Sequence, residues 1–269
     1  MSPAPAPLVV KLGGRALEGE GALEALATDL VPLAGSVVLV HGGGPEVSAW
    51  SARLGLTPRF HGGRRVTDAP TLEVATAVLA GLANKRLVAA LRAHGIDAVG
   101  LAALDGGMVA CAPHPEATAL GAVGSIAGVD PALLTTLLAA GRTPVVASIG
   151  ALDGALLNLN ADDVAAALAR GLAARGLVLL SDAPGLVLGG RIVPRLDPLA
   201  ADAARAGDEV TDGMGPKLEA AASAVRGGVA RAWIAAWSGP GTLATLLAGE
   251  SAGTCITCEP VPVEAPDGR

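Results

Sequence analysis

Short apolar segments alternate along the chain with longer segments in which alanine and leucine predominate. Each short segment is apolar at almost every position, as expected for a strand whose two faces are both covered. The alternation of such strands with helices predicts an α/β fold with an open, mainly parallel central sheet. The predicted strands are Leu8–Leu12, Val37–His41, Ala98–Leu101, Pro144–Ile149, Gly176–Ser181 and Arg231–Ala236.

The intervening segments predict helices on both faces of this sheet, an α/β/α sandwich. Two other segments differ in pattern. Residues Arg59–Asp68 are polar and rich in glycine and arginine, which predicts a hairpin or flap, and residues Met108–Ile126 predict short antiparallel strands. The predicted helices are Gly21–Leu33, Pro45–Leu54, Pro70–His94, Pro131–Ala140, Asp162–Ala174, Gly213–Arg226 and Gly241–Ala248.

Composition narrows the class of protein. Of 269 residues, 51% are hydrophobic and 16% are charged, so the chain can form one large domain or two lobes with a sizeable buried core. A net charge of −6 without any basic block argues against a nucleic-acid partner. The longest uncharged stretch, Ala232–Gly249, is interrupted by Ser238–Gly241, so we expect no membrane-spanning helix. Three cysteines in a chain of this length do not indicate a disulfide framework, so we expect a cytoplasmic protein.

Glycine-rich segments follow the first two predicted strands, at the sheet edge where α/β proteins bind ligands. Lys11 is followed by Gly13 and Gly14, which let a phosphate approach the backbone. The segment His41–Pro45 places three glycines before a helix, where backbone N–H groups can face an anion. The alternative interpretation of Lys11 is an ordinary surface lysine, and that of the three glycines is a plain tight turn. We interpret His41 as structural rather than as a base.

Polar residues also follow later strands or open later helices. Arg65, in the predicted flap, has the fork geometry that binds a carboxylate. Asn160 is expected either to cap a helix or to face a ligand, with Asn158 and Asp162 at the same opening. Lys217 lies in the first turn of a predicted helix, where a positive charge is unfavourable, so we expect a functional reason for it.

Several common motifs are absent from the sequence. It contains no Walker A motif, no G-x-G-x-x-G fingerprint and no H-E-x-x-H. Its four histidines are scattered, so no metal ligands are predicted. A P-loop enzyme and an NAD-dependent dehydrogenase are therefore disfavoured.

Eight segments, in order along nearly the whole chain, resemble the acetylglutamate kinases of the amino acid kinase family. Each segment is weak alone, but the shared order is specific. The segments are Lys11–Gly14, His41–Pro45, Gly63–Asp68, Ala80–Lys85, Asp105–Gly106, Asn158–Asp162, Leu180–Asp182 and Thr211–Lys217. They include all three lysines of a chain that has 19 basic residues; for Lys85 we predict no role beyond packing.

The resemblance implies transfer of the ATP γ-phosphoryl group, with Mg²⁺, to the side-chain carboxylate of N-acetyl-L-glutamate, the second step of arginine biosynthesis. It implies that Lys11 and Lys217 stabilise the transferring group and that Asp162 orients both. It assigns to the acceptor Gly43, Gly44, Arg65, Asn158 and Asn160. It assigns to the nucleotide Gly13, Gly14, Ser181, Asp182, Gly185, Leu186, Val187, Glu209, Val210, Thr211 and Met214. A carboxylate acceptor is ionised at neutral pH and needs no general base.

The resemblance also implies one kinase domain over about residues 8–257, with two lobes. Residues 1–172 would bind the amino-acid substrate and dimerise, and residues 173–269 would bind ATP. Arginine-inhibited hexameric members resemble one another in an additional N-terminal helix, and only ten residues precede Lys11, so we expect an arginine-insensitive homodimer. Two departures from the family pattern are Gly215, in place of an aliphatic residue, and Arg64, which could contact ligand instead of Arg65.

Other activities remain as alternatives. The nearest is a kinase for aminoadipate or glutamate attached to an amino-group carrier protein, whose flap resembles Gly-x-x-Ser-Arg-x-Thr rather than the Gly63–Thr67 seen here. Kinases for aspartate, carbamate or uridylate are more distant. A non-catalytic nucleotide sensor would be marked by loss of Lys11, Asp162 and Lys217, all of which are present.

Overall fold

A computed structural model describes residues 6–13, 21–210, 213–249 and 252–259. The strands in chain order are β1 (Leu8–Leu12), β2 (Val37–His41), β3 (Phe60–His61), β4 (Arg64–Arg65), β5 (Ala98–Ala102), β6 (Val109–Pro113), β7 (Gly124–Val129), β8 (Thr143–Ala147), β9 (Ile149–Leu152), β10 (Ala155–Asn158), β11 (Gly176–Ser181), β12 (Val187–Leu188), β13 (Arg191–Ile192), β14 (Arg195–Leu196), β15 (Arg231–Ala236) and β16 (Thr254–Thr257). Eight of them form the central sheet, in the order β14-β16-β15-β11-β1-β2-β8-β5. All neighbours are parallel except β15 and β16.

Helices cover both faces of this sheet. They are α1 (Ala22–Leu30), α2 (Gly44–Arg53), α3 (Ala69–Thr76), α4 (Asn84–Ala93), α5 (Ala117–Leu120), α6 (Ala132–Ala139), α7 (Ala161–Gly171), α8 (Pro198–Arg205), α9 (Gly215–Arg226) and α10 (Thr242–Leu247). Side chains alternate along β1: Val9 packs in a cluster with α7, α8 and α9, and Val10 packs in another with α1, α4 and α10. The α/β/α sandwich with a mainly parallel sheet is therefore confirmed.

Four predicted strands have the observed bounds, one is wrong at its end, and several short strands were not predicted. β1, β2, β11 and β15 match the prediction residue for residue. The predicted strand Pro144–Ile149 is wrong at its end, because the chain leaves the sheet at Ser148 and Ile149 begins a separate hairpin, β9–β10. The predictions also omitted β14 and β16, at one edge of the sheet, the separate hairpin β12–β13, and α8.

The two unusual segments form hairpins, as predicted. β3 pairs antiparallel with β4 in the flap, and β6 pairs antiparallel with β7. Gly62 and Gly63, with φ of 53° and 74°, make the flap turn. The flap is therefore a two-stranded ribbon projecting from the loop between α2 and α3.

One long helix spans Ala69–Ala93 and is not regular throughout. It consists of α3, a π-helical segment at Ala77–Ala83, and α4. Its 25 residues, with a mean hydropathy of 1.4 in an 18-residue window, make it a candidate membrane span by length and composition only. Such a match is weak evidence, because Val78 and Leu87 of this helix pack in the core clusters beside the sheet.

Candidate active site

A cleft of about 340 Å³ opens beyond the carboxyl ends of β1 and β2. Its lining comes from the ends of both strands, the flap, the segment before α7 and the first turn of α9. Parallel strands bring their carboxyl ends to one edge of a sheet, which is why segments so distant in sequence meet here. The lining includes Lys11, Gly43, Gly44, Arg65, Asn158, Asn160, Asp162 and Lys217, all the residues predicted for catalysis and acceptor binding.

Asp162 lies between the two lysines. Lys11 Nζ is 3.0 Å from Asp162 Oδ1, and Lys217 Nζ is 3.0 Å from Asp162 Oδ2. Asp162 is 4% exposed and Lys11 is 7% exposed, so water screens these charges weakly. One carboxylate thus holds two ammonium groups side by side at the cleft.

Burial and charge act in opposite directions on this triad. Burial raises the pKa of Asp162, but the two lysines outweigh it and lower that pKa to about 2. Burial lowers the pKa of Lys11, an effect reinforced by Lys217 and opposed by Asp162. The carboxylate is therefore ionised at neutral pH, and the site carries an excess of positive charge that suits phosphate.

The helix starts explain how these groups are held. Asn160 caps α7, its Oδ1 accepting from the N–H groups of Asp162 and Asp163 at 2.8 and 3.1 Å. Asn160 also lines the cleft, so the geometry is compatible with both interpretations of this residue, a helix cap and a ligand contact. Lys217 lies in the first turn of α9, and its ion pair with Asp162 accounts for a cation at this unfavourable position.

Arg65 is a buried cation without an acidic partner among the described residues. Its Nη2 donates to Gly44 O at 2.8 Å and to Ser48 Oγ at 2.7 Å, and Nη1 is buried with no hydrogen-bond partner. Its guanidinium carbon lies 4.9 Å from the centre of the Phe60 ring. Burial lowers the pKa of Arg65, which is 8% exposed. An unpaired buried guanidinium of this kind favours binding of an anion.

Arg64, the extra flap cation, already has a partner. Its Nη1 lies 3.0 Å from Asp163 Oδ2, which ties the flap to the first turn of α7. Although Arg64 also lines the cleft, its charge is balanced locally. Of the two arginines, Arg65 is therefore the better candidate for a ligand carboxylate.

The glycine segment before α2 fits closely against its neighbours. A Cβ at Gly43 would lie 2.9 Å from Leu79 Cδ2, so a larger residue would push into the π-helical segment. Gly44 opens α2, with Pro45 directly after it, and the N-terminus of a helix favours negative charge. Asn158 completes this part of the cleft, and its Nδ2 donates to Thr67 Oγ1 at 3.1 Å.

The residues predicted for the nucleotide are only partly in this cleft. Gly13 and Asp182 line it, and a Cβ at Gly13 would lie 2.9 Å from Leu180 O. Leu186 and Met214 are buried in the core, Ser181 bonds to Ala183 within its own turn, and Gly185 packs against Thr254. Glu209 accepts from Gly189 N at 2.7 Å, Val187 is exposed in β12, and Val210 is partly buried. Gly14 and Thr211 lie outside the described residues.

Sequence reasoning missed two residues that line the cleft, Phe60 and Leu79, and one behind it, Ser48. Ser48 holds Arg65, Phe60 lies against it, and Leu79 packs on Gly43. Phe60 had a usable signal, since it is the only phenylalanine of the chain and lies in the flap. Ser48 and Leu79 have none, because a serine on an amphipathic helix and a leucine on an apolar one are ordinary.

Comparison with known proteins identifies a family and several relatives. The amino acid kinase family matches residues 6–236. The chain is 44% identical over 236 residues to an acetylglutamate kinase of Methanopyrus kandleri, covering 84% of this chain and 93% of that protein. It is 42% identical to an acetylglutamate kinase of Chloroflexus aurantiacus, covering 82% and 88%.

A solved structure is similar over nearly the whole chain. It is an N-acetylglutamate synthase of Neisseria gonorrhoeae complexed with coenzyme A and N-acetyl-glutamate, with a TM-score of 0.82 and 29% identity. The match covers 95% of this chain but 60% of the synthase. With the family match over most of its length, the chain belongs to the amino acid kinase family.

Proposed function

We propose that this chain transfers the γ-phosphoryl group of ATP to the side-chain carboxylate of N-acetyl-L-glutamate. The observation that carries the proposal is the pair of lysines beside Asp162, in the same cleft as Arg65, which has no acidic partner among the described residues. The lysines suit a phosphoryl group, and the arginine fork suits the α-carboxylate of an amino-acid derivative. Relatives of 42–44% identity named acetylglutamate kinase favour this acceptor over a carrier-bound one.

The proposed reaction needs no proton transfer. A side-chain carboxylate oxygen of the acceptor forms a bond to the γ-phosphorus, and the bond from that phosphorus to the bridging oxygen breaks with ADP leaving. Lys11 and Lys217 act as point charges on the phosphoryl oxygens, and Asp162 fixes the separation of their ammonium groups. The N–H groups of Gly43 and Gly44 orient the acceptor oxygens.

Asn158 and Asn160, which line the same cleft, would complete the acceptor site. The residues Gly13, Gly14, Ser181, Asp182, Gly185, Leu186, Val187, Glu209, Val210, Thr211 and Met214 would hold the nucleotide in the lobe formed by residues 173–269 and its border with residues 1–172.

Mg²⁺ would enter this site with the nucleotide. No group of three or more His, Cys, Asp or Glu side chains suited to a metal occurs among the described residues. Magnesium commonly keeps several waters and is held by substrate phosphates, so no dedicated protein cage is required. Its chemistry would be to neutralise charge on the phosphate oxygens.

We further propose a cytoplasmic homodimer. The three free cysteines, none paired in a disulfide, fit a reducing compartment. The long helix Ala69–Ala93 is only 39% buried in its most apolar window, and Leu82 is exposed on it. Apolar helix surface of this kind is typical of a subunit interface. Light scattering of the purified chain tests the assembly, and a monomer at micromolar concentration contradicts it.

ADP release with different acceptors tests the proposed activity directly. We expect turnover with N-acetyl-L-glutamate and little or none with free glutamate or with carrier-bound aminoadipate. Free glutamate tests whether the acetyl group is required, and the carrier-bound acceptor distinguishes the proposed activity from that of a kinase for carrier-bound substrates. Turnover on the carrier-bound acceptor alone would overturn the proposal.

Replacing Arg65 with lysine is expected to raise KM for N-acetyl-L-glutamate by about 10- to 100-fold, because an ammonium group cannot hold a carboxylate through two parallel bonds. The KM for ATP should change by about threefold at most, since this fork serves the acceptor. The matched control is Arg64→Lys, whose partner is Asp163. Equal KM changes for the acceptor in both variants would remove Arg65 from its proposed role.

A further inference from the structure

A buried histidine and asparagine lie directly behind the glycine segment of the cleft. His41 and Asn84 are both 0% exposed, and Asn84 Nδ2 lies 3.1 Å from His41 Nε2. His41 Nδ1 lies 2.9 Å from the carbonyl oxygen of Gly42. Neither side chain lines the cleft, so neither touches a ligand there.

The surroundings of Asn84 fix which of its side-chain atoms donates. Its Nδ2 also lies 2.9 Å from Val145 O and 3.3 Å from Leu101 O, and its Oδ1 accepts from Lys85 Nζ at 2.9 Å. The opposite orientation of the amide would set an oxygen against two carbonyl oxygens and a nitrogen against an ammonium group. Nδ2 is therefore the donor, and His41 Nε2 is the acceptor.

This assignment fixes the tautomer of His41. Because Nε2 accepts, the ring proton lies on Nδ1 and is donated to Gly42 O. Burial lowers the pKa of His41, and the nearby Lys85 lowers it further, so the ring is neutral at neutral pH. Lys85, for which the sequence indicated no role, keeps the Asn84 amide in the orientation that this tautomer requires.

The consequence reaches the cleft through one peptide plane. In a trans peptide the C=O of one residue and the N–H of the next point in opposite directions. A carbonyl of Gly42 held by His41 therefore fixes the direction of the Gly43 N–H on the other side of the plane. Glycine has little conformational preference of its own, so the orientation of the Gly42–Gly43 peptide plane must be fixed by a hydrogen bond from outside the segment.

The π-helical segment lets one helix hold the glycine segment at two points. Leu79 packs on Gly43, and Asn84, five positions later, holds His41. In a regular α-helix, residues five apart point about 140° away from each other. The N–H of Asn84 bonds instead to Leu79 O, an i to i+5 bond, which brings the two residues towards one face.

We propose that His41 and Asn84 are positioning residues that aim the Gly43 N–H at the acceptor oxygens during phosphoryl transfer. Asn84 sets the tautomer of His41, His41 holds the Gly42 carbonyl, and the shared peptide plane directs the Gly43 N–H. This inference rests on the proposed function, because the acceptor is the group that the N–H would orient.

Two substitutions of His41 separate the two hydrogen bonds. The amide of His41→Asn reaches about as far as Nδ1 and keeps a donor for Gly42 O. The amide of His41→Gln reaches about as far as Nε2, so it keeps the contact with Asn84 and loses the one with Gly42. We expect kcat to fall by about 10- to 100-fold in His41→Gln and by about threefold or less in His41→Asn, with the KM for ATP unchanged in both.

Melting temperature and ¹⁵N NMR of labelled histidine accompany the kinetics. Both variants should lose similar stability, so a difference in kcat between them would reflect the geometry of the glycine segment and not a difference in folding. NMR of the unaltered chain should show the proton on Nδ1, and Asn84→Asp, which removes the donor to Nε2, should move it. Equal kcat losses in the two His41 variants, or a proton on Nε2 in the unaltered chain, would overturn the inference. The NMR result does not depend on turnover, so failure of the unaltered chain to phosphorylate N-acetyl-L-glutamate counts against the proposed function alone.

Discussion

Replacing Asp162 with asparagine is expected to lower kcat by about a thousandfold. The substitution removes the carboxylate that pairs with both Lys11 and Lys217, and the amide turns a donor towards one of the two ammonium groups. The two cations repel each other and will separate, and their charges will no longer converge on one phosphoryl group. Steady-state kinetics at saturating ATP and N-acetyl-L-glutamate measure this loss.

Asp163→Asn is the matched control for that experiment. Asp163 is the next residue of the same helix turn, but its partner is Arg64 of the flap. We expect its kcat to fall by about tenfold at most, because the contact that anchors the flap is lost while Asp162 still pairs with both lysines. If Asp162→Asn retained a tenth of the activity, the carboxylate would not be organising the phosphoryl site.

The same substitution has a signature in acid stability. The pKa of Asp162 is about 2 in the fold and near 3.8 without it, so the ion pairs stabilise the fold at and above pH 4. That stabilisation, about 2 kcal/mol for such a shift, is lost as pH falls towards 2. Urea unfolding of both proteins at pH 5 and pH 2.5 measures the effect. The difference in unfolding free energy between them should shrink at the lower pH.

Replacing Lys217 with arginine is expected to lower kcat by about a hundredfold and to change the dissociation constant of ATP by about threefold at most. The charge is kept, so ground-state attraction for phosphate survives. A planar guanidinium is larger than an ammonium group, and it cannot lie 3.0 Å from Asp162 Oδ2 while presenting the same compact charge to the transferring group. Isothermal titration and single-turnover kinetics give the two quantities separately.

Arg205→Lys is a suitable control for that exchange. Arg205 of α8 pairs with Glu219 of α9 at 2.8 Å, and neither residue lines the cleft. The control should leave both ATP affinity and kcat within about twofold of the unaltered chain. An unchanged kcat in Lys217→Arg would show that Lys217 is not part of the reaction.

The fold was predictable where the sequence pattern and the burial agree. β1, β2, β11 and β15 are buried in the middle of the sheet, and their apolar runs stand out from the flanking residues. β14 has two residues and pairs only at the edge, so no apolar run marks it. The π-helical segment was not predictable either, because its hydrophobic pattern is that of an ordinary helix.

The site was predictable where glycine or charge follows a strand or opens a helix. Lys11, Gly43, Arg65, Asp162 and Lys217 were all recognised, and the structure brings them into one cleft. The sequence could not show that Arg64 is already paired with Asp163, since that contact joins residues 99 positions apart. The roles of His41, Asn84 and Lys85 were also hidden, because they follow from hydrogen-bond directions that exist only in the folded chain.

The antiparallel strand β16 has a practical consequence for anyone who truncates this protein. The family match ends at residue 236, yet β16, at Thr254–Thr257, lies beyond it and covers the edge of β15. Thr254 Oγ1 also accepts from Leu186 N at 2.8 Å and donates to Val193 O at 2.7 Å. A fragment cut at the family boundary would expose a long apolar sheet edge, which invites aggregation, and would release the segment around Leu186. A useful expression fragment therefore extends at least through Thr257, the last residue of β16.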